Sequence, residues 1–207
     1  MLYNRCCKRK DMHMPPKIKI SKEMIEDAAF EIARTEGADK ITARRISEQL
    51  HCSTQPVLYH FSSVEEIKKA AYQKADEYHS SYLMNMERDC GDPMLAIGMN
   101  YIRFAVEESN LFRFLFQTNE FSGADMSDLM NLSELSPILS VVQQETETSE
   151  EEAKEIFSTL FIFVHGYASM FANNSMEYDE KELIGMLNKV FCGAVYAAKE
   201  VTDEEDI

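Results

Sequence analysis

Apolar residues recur at helical spacing along most of the chain. Ile25, Ala28, Ala29, Ile32 and Ala33 mark one face of a first helix, expected from about Ser21 to Glu36. Ser21 is a favourable N-cap and Gly37 a fitting stop. A second helix starts on Thr42 and carries Ile46 and Leu50. After His51 and Cys52, Ser53 caps a short third helix that ends near Phe61. Pro56 falls in its first turn, where the missing N–H had no intrahelical partner to lose. Ser63 and Glu66 have capping-box spacing and open a long helix from Val64 to about Arg88. Asp92-Pro93 pairs a cap with proline at the first helical position, for a helix to about Ser109. Leu111–Thr118 reads as a short apolar helix, and 119–135 as a polar connection holding at most a turn or two. Ser136-Pro137 repeats the cap-plus-proline signal, for a helix ending near Gln144. Ser149 and Glu152 make a second capping box, opening a helix to about Asn173. The acidic residues 145–155 then read as a solvated face that complements the helix dipole. A last helix runs from Asp179 to Lys199, and Glu200–Ile207 is an acidic tail expected to lack order.

Composition fits this reading. Only 7 Gly and 5 Pro occur in 207 residues, too few for the many turns of a strand-rich fold. The expected fold is all-α: a basic arm (1–20), a three-helix head (21–66), a larger helical bundle (67–200) and an acidic tail (201–207). No apolar run approaches the ~20 residues of a membrane span, and the first residues lack the apolar stretch of a secretion signal. A cytoplasmic protein with no membrane partner is the expectation. Five cysteines, an odd number without C-x-x-C spacing, suit neither a disulfide framework nor a zinc site. They read as reduced, mostly buried thiols, with redox sensing at the adjacent Cys6 and Cys7 as the other reading.

The net charge of −15 argues against a nucleic-acid partner until its distribution is considered. Residues 1–83 hold 14 Lys+Arg against 12 Asp+Glu, whereas 84–207 hold 7 against 24. Only the N-terminal part is then a plausible contact for phosphate. The arm contributes Arg5, Lys8, Arg9, Lys10, Lys17 and Lys19. It suits phosphate or a minor groove. A frayed terminus, or a true start at Met14, are equal readings.

Ile41–Phe61 has the grammar of a helix-turn-helix: two short capped helices joined by a turn of a few residues. In that motif the second helix enters the major groove, its N-terminal residues at the base edges. Ser53, Thr54 and Gln55 stand there; Gln pairs bidentately with adenine and Ser or Thr contacts several bases. Arg44, Arg45, Tyr59 and His60 suit phosphates. Spacing alone leaves a plain solvated helical corner as an equal reading.

Residues 22–75, with the pattern IEDAAFEIARTEGADKITARRISEQLHCSTQPVLYHFSSVEEI, resemble the DNA-binding domain of TetR-type repressors. The resemblance implies base reading by the first half of the third helix and phosphate contacts at the caps of the second and fourth. On this chain those roles fall to Thr42, Ser53, Thr54, Gln55, Tyr59 and His60. Three positions depart from the family pattern. His51 replaces a turn glycine, Leu58 a common tyrosine, and Val64 a lysine after the fourth cap, with Lys68 and Lys69 one turn on. The resemblance further implies a homodimer on palindromic double-stranded DNA, released by a small effector.

In the C-terminal part, Phe161–Met170 (FIFVHGYASM) and Asn110–Gln117 (NLFRFLFQ) are similar to a subfamily with a Trp-His-Gly-like motif, Val164 standing where its Trp is expected. His165 reads either as a core histidine or as a polar anchor in an effector pocket. It has no His or Cys at i+3 or i+4 to share a metal. Tyr101, Phe104, Phe112 and Phe116 are core or pocket wall. The implied effector is apolar, amphipathic or, given the acidic bundle, cationic. Gly166, Val190, Gly193, Ala194 and Ala197 offer a small-residue surface for a four-helix dimer interface. No Gly-rich phosphate loop, activated Ser or Cys signature or metal cluster suggests an enzyme or a cofactor. A helical ligand-sensing or protein-interaction module whose head no longer reads DNA is the second reading.

Overall fold

The structure is a computed structural model that describes residues 19–85, 92–117, 135–174, 176–177 and 179–205. All regular structure in them is helical. The helices are α1 (Lys22–Glu36), α2 (Ala43–Gln49), α3 (Thr54–His60), α4 (Val64–Leu83), α5 (Pro93–Glu107), α6 (Ser109–Phe116), α7 (Ser136–Thr146), α8 (Glu150–Asn173) and α9 (Glu180–Glu205), with a 3-10 turn at Ala38–Lys40. The arm residues Arg5, Lys8, Arg9, Lys10 and Lys17, the cysteines Cys6, Cys7 and Cys90, and most of the 119–135 connection lie outside the described residues.

α1 packs on α4 and α6, and α2 packs on α3. Every residue of the expected α1 stripe is buried, as are Ile46 of α2, Val57 of α3 and Phe61 beyond it. Ser21 Oγ accepts from the Met24 N–H at 3.2 Å, and Thr42 Oγ1 from the Arg45 N–H at 3.1 Å. Gly37 sits at φ 100°, and its N–H donates to the Ile32 and Ala33 carbonyls, closing α1. A side chain there would be strained.

α5 is the axis of the larger bundle. Every residue from Met94 to Ala105 is buried, which is why its sequence is apolar on nearly all sides. It packs along α8 and also against α4, α6, α7 and α9. α9 approaches so closely at Gly98 that a Cβ there would lie 2.7 Å from Cδ2 of Leu187. The small-residue requirement at Gly98 is thus one of space.

Several boundaries differ from expectation for local reasons. α4 ends at Leu83 rather than near Arg88, because the Asn100 side-chain amide donates to the carbonyls of Leu83 (3.1 Å) and Asn85 (2.7 Å). The capping box at Ser63 is half formed: Ser63 Oγ accepts from the Glu66 N–H, but the Glu66 carboxylate turns to the N–H and hydroxyl of Ser62. At Ser149 both halves form. Ser136 is the first residue of α7 and not its cap, since Leu135 is already in the right-handed helical region. Helix continues through Glu205, into the segment expected to be a tail; Glu200–Glu205 holds no glycine or proline to stop it. Cys52 is half-buried, but Cys192 is exposed, against the expectation of mostly buried thiols.

α8 qualifies the expectation about membranes. By length and composition alone its 24 residues, with a mean hydropathy of 1.3 in the best window, would suffice to cross one. One side of this helix, Ala153 to Ala172, packs into the bundle against α5, α7 and α9.

Candidate functional site

Two places gather chemistry. The first is the outer face of α2 and α3. His51 turns the chain between them in the left-handed region, at φ 51°, where the resemblance had placed glycine. The cost of that conformation is offset by its result: the Cys52 N–H closes onto the Ser47 carbonyl at 2.9 Å, and Val57 is pinned in the core. Ser53, Thr54 and Gln55 are all exposed. Ser53 occupies the cap position without its hydroxyl accepting from the helix, so that hydroxyl stays turned outward. Leu58 and Tyr59 are 58% and 83% exposed, on the same outward side one turn further. For Leu58 this is informative, since a large apolar side chain on a short helix would otherwise point inward.

The flanking groups are less free. Nε2 of His60 lies 3.0 Å from the Ile20 carbonyl, tying the end of α3 to the residue before α1. Arg45 makes a two-pronged pair with Glu36, its closest approach 2.5 Å, and Arg44 pairs with Glu48 at 3.0 Å. Lys22, Lys40, Lys68 and Lys74 likewise meet Glu26, Asp39, Glu65 and Asp27. These pairings hold the Glu36 and Asp39 carboxyls below the usual carboxylate range, through hydrogen bonds from Arg45 and Lys40. Lys69 is exposed without an acidic partner among the described residues.

The second place is a cavity of about 500 Å³ between α4, α5, α6, α7, α8 and α9. Helical spacing builds each wall. α4 contributes Tyr72, Asp76, His79, Ser80 and Leu83; α5 contributes Met94, Ile97, Gly98 and Tyr101; α8 contributes Phe157, Leu160, Phe161, Val164 and His165. The Tyr101 hydroxyl and Nδ1 of His165 are 2.8 Å apart and share a hydrogen bond. Burial raises the Tyr101 phenol and lowers the His165 imidazole, so both are uncharged near neutral pH. His79 is buried, its pKa pushed down to about 4 by desolvation.

Of the expected pocket residues, Tyr101, Phe116 and His165 line the cavity, while Phe104 and Phe112 do not. Both are fully buried behind it. Phe104 packs edge-on against His79 and Tyr82, and Phe112 against Tyr101. The α4 contribution was missed. Its signal was present in the i, i+4, i+7, i+8, i+11 spacing of Tyr72, Asp76, His79, Ser80 and Leu83, a mixed stripe that reads as neither core nor surface.

The surface of α8 and α9 differs from expectation at one residue. Gly166, Gly193 and Ala197 are exposed, a Cβ at either glycine would meet open space, and Val190 is half-buried. Ala194 instead faces inward, 8% exposed. Ile162 (59%), Met170 (47%) and Tyr196 (64%) are large side chains left outward on these two helices. The chain matches no protein-family model and none of the curated proteins searched.

Proposed function

We propose that the chain is a TetR-type DNA-binding transcriptional regulator, a homodimeric repressor that a small effector releases from a palindromic operator. The observation that carries this reading is the outer end of α3. Ser53, Thr54, Gln55, Leu58 and Tyr59 are exposed on a helix whose inner residue, Val57, is buried. Among the described residues, the polar side chains of Ser53, Thr54 and Gln55 make no internal hydrogen bond that binding would have to break. Leu58 adds an apolar group suited to a thymine methyl. Thr42 caps α2 and Arg44 and Arg45 lie in its first turn, where exchange of Glu48 and Glu36 for phosphate is inexpensive, as for most surface ion pairs.

The outward Ile162, Gly166 and Met170 of α8, spaced four residues apart, with Gly193, Tyr196 and Ala197 of α9, support a four-helix contact between two copies. Such a dimer presents two α3 helices to successive major grooves, ~34–36 Å apart on DNA. The cavity is the effector site, and occupancy shifts the pair of heads to a spacing that fits the operator less well.

The test is a gel shift of the full chain on the DNA upstream of its own gene, over a salt series. A specific, salt-sensitive complex is expected, and Thr54→Ala with Gln55→Ala should weaken it at least tenfold relative to non-specific DNA. Equal binding by the double variant, or none to any upstream DNA at low salt, would overturn the reading. The paired state of Arg44, Arg45, Lys22, Lys40, Lys68 and Lys74 favours the second reading, a ligand-sensing module with a head that no longer reads DNA, and that last result would select it.

A further inference from the structure

His79 is the buried polar group that the fold leaves unsatisfied. It lines the cavity, is 7% exposed, and among the described residues its Nε2 is the one buried side-chain polar atom without a hydrogen-bond partner. The rings of Phe104, Phe116 and Tyr101 surround the imidazole edge-on, with centroids 4.8, 5.1 and 5.5 Å away. They close off Nε2 but offer it no lone pair or proton. An unmet buried polar atom is costly, so a native fold that retains one has a use for it. Water is a poor candidate, since a buried water needs two to four polar partners. The other polar groups are placed elsewhere. Tyr101 and His165 bond to each other, the Tyr72 hydroxyl donates to the Leu115 carbonyl, and Asp76 and Ser80 lie at the exposed rim.

We propose that the cavity takes an uncharged amphipathic molecule whose hydroxyl pairs with Nε2 of His79 and whose hydrocarbon part lies along Phe157, Leu160 and Leu187. This rests on the reading of the cavity as the effector site. A turn of the imidazole about its last torsion, made as the packed rings of Tyr101, Phe104 and Phe116 give way, would bring Nε2 to the ligand. A hydroxyl suits either tautomer, because it both donates and accepts. Among the described residues no Lys or Arg lines the cavity, and Asp76 is the charged residue there, so a carboxylate would be buried without a cation beside it. An ammonium group would stay at the rim with Asp76 and leave Nε2 unmet.

The experiment titrates the full chain with 1-octanol, octanoate and octylamine at pH 7 by calorimetry. It is paired with nitrogen NMR of the histidine-labelled protein. Octanol is expected to bind at least tenfold more tightly than either charged probe, and His79→Phe to cost octanol about tenfold while leaving the charged probes unchanged. In the unaltered chain the Nε2 resonance of His79 should move on adding octanol, a readout that stands even if the variant does not fold. Absence of octanol binding, a charged probe binding as well, equal affinity in the variant, or a stationary resonance would each overturn the proposal. A chain that binds its operator but not octanol leaves the regulator reading intact and removes this one. A chain that binds octanol through His79 but never DNA does the reverse.

Discussion

The head and the bundle handle polar side chains in opposite ways. On α3, Ser53, Thr54 and Gln55 sit in water, unspent. Around the cavity, His79 and Tyr101 are buried, and Tyr101 is hydrogen-bonded to His165. A surface that reads a polar partner needs donors and acceptors that are free but held in place, and the buried Val57 beneath α3 holds them. A cavity for a mostly apolar guest needs few polar groups, each fixed by packing. The two regions meet at Arg34. Its guanidinium grips Glu108 two-pronged at 2.5 to 3.0 Å, and the Tyr78 hydroxyl donates to the same carboxylate at 3.2 Å. The Asn110 amide donates to the Arg34 carbonyl, and Arg113 reaches both the Asn110 side-chain oxygen and the Ala172 carbonyl of α8. Tyr78 and His79 are neighbours on α4, so the joint and the cavity share one helix.

The largest effect expected belongs to the buried side of this contrast. His79 has its pKa lowered from 6.5 to about 4 by burial, so the unfolded chain takes up a proton that the folded chain refuses. Its contribution to stability is complete above pH 6.5 and is lost as pH falls toward 4. The integrated loss is about 3 kcal/mol. His165, also lowered by burial, adds in the same direction. Denaturant titrations at pH 7 and pH 4.5 should therefore differ strongly for the natural chain and much less for His79→Phe. The same pH dependence in both would mean that the imidazole is not held neutral by its surroundings.

A smaller effect is expected at the joint. Glu108→Ala removes the acceptor shared by Arg34 and Tyr78. Arg34 is about a third exposed, which screens the pair, so the loss should be about 2 kcal/mol rather than the larger cost of a fully buried pair. Hydrogen exchange should speed up in α1 more than in α5. Unchanged stability together with unchanged α1 exchange would mean that the two regions are joined by apolar packing alone.

Much of this was legible because local signals and burial agreed. The α1 stripe, the caps at Ser21, Thr42, Asp92 and Ser149, and the exposed tip of α3 follow from periodicity and cap chemistry, which depend on neighbours in sequence. What was not legible depends on partners far along the chain. Leu83 ends α4 because Asn100 is there to take its carbonyl, and no window around Leu83 contains Asn100. Phe104 and Phe116 look alike in sequence, but only Phe116 lines the cavity. His79 was overlooked because a histidine between tyrosines and charged residues resembles a surface residue until α5 and α6 are laid over it. Arg45 and Glu36, nine residues apart in different helices, form a pair that no helical spacing suggests.

That last pair supplies the smallest and most discriminating test of the contrast. If the head is built to present charge to DNA, Arg45 is held in reserve by Glu36, whose carboxyl is kept below the usual range by the guanidinium. Glu36→Gln keeps a hydrogen-bonding side chain and removes the competing charge. The variant should bind upstream DNA a few-fold more tightly, with a salt slope steeper by about one ion. Stability should barely move, because exposed pairs contribute little. Arg45→Gln should shift affinity and slope in the opposite sense. Since Arg45 is expected to touch phosphate and not bases, both changes should apply almost equally to operator and random DNA, whereas those at Thr54 and Gln55 should fall on the operator. A Glu36→Gln chain with unaltered affinity and slope would place Arg45 outside the DNA contact, leaving α3 to act without α2.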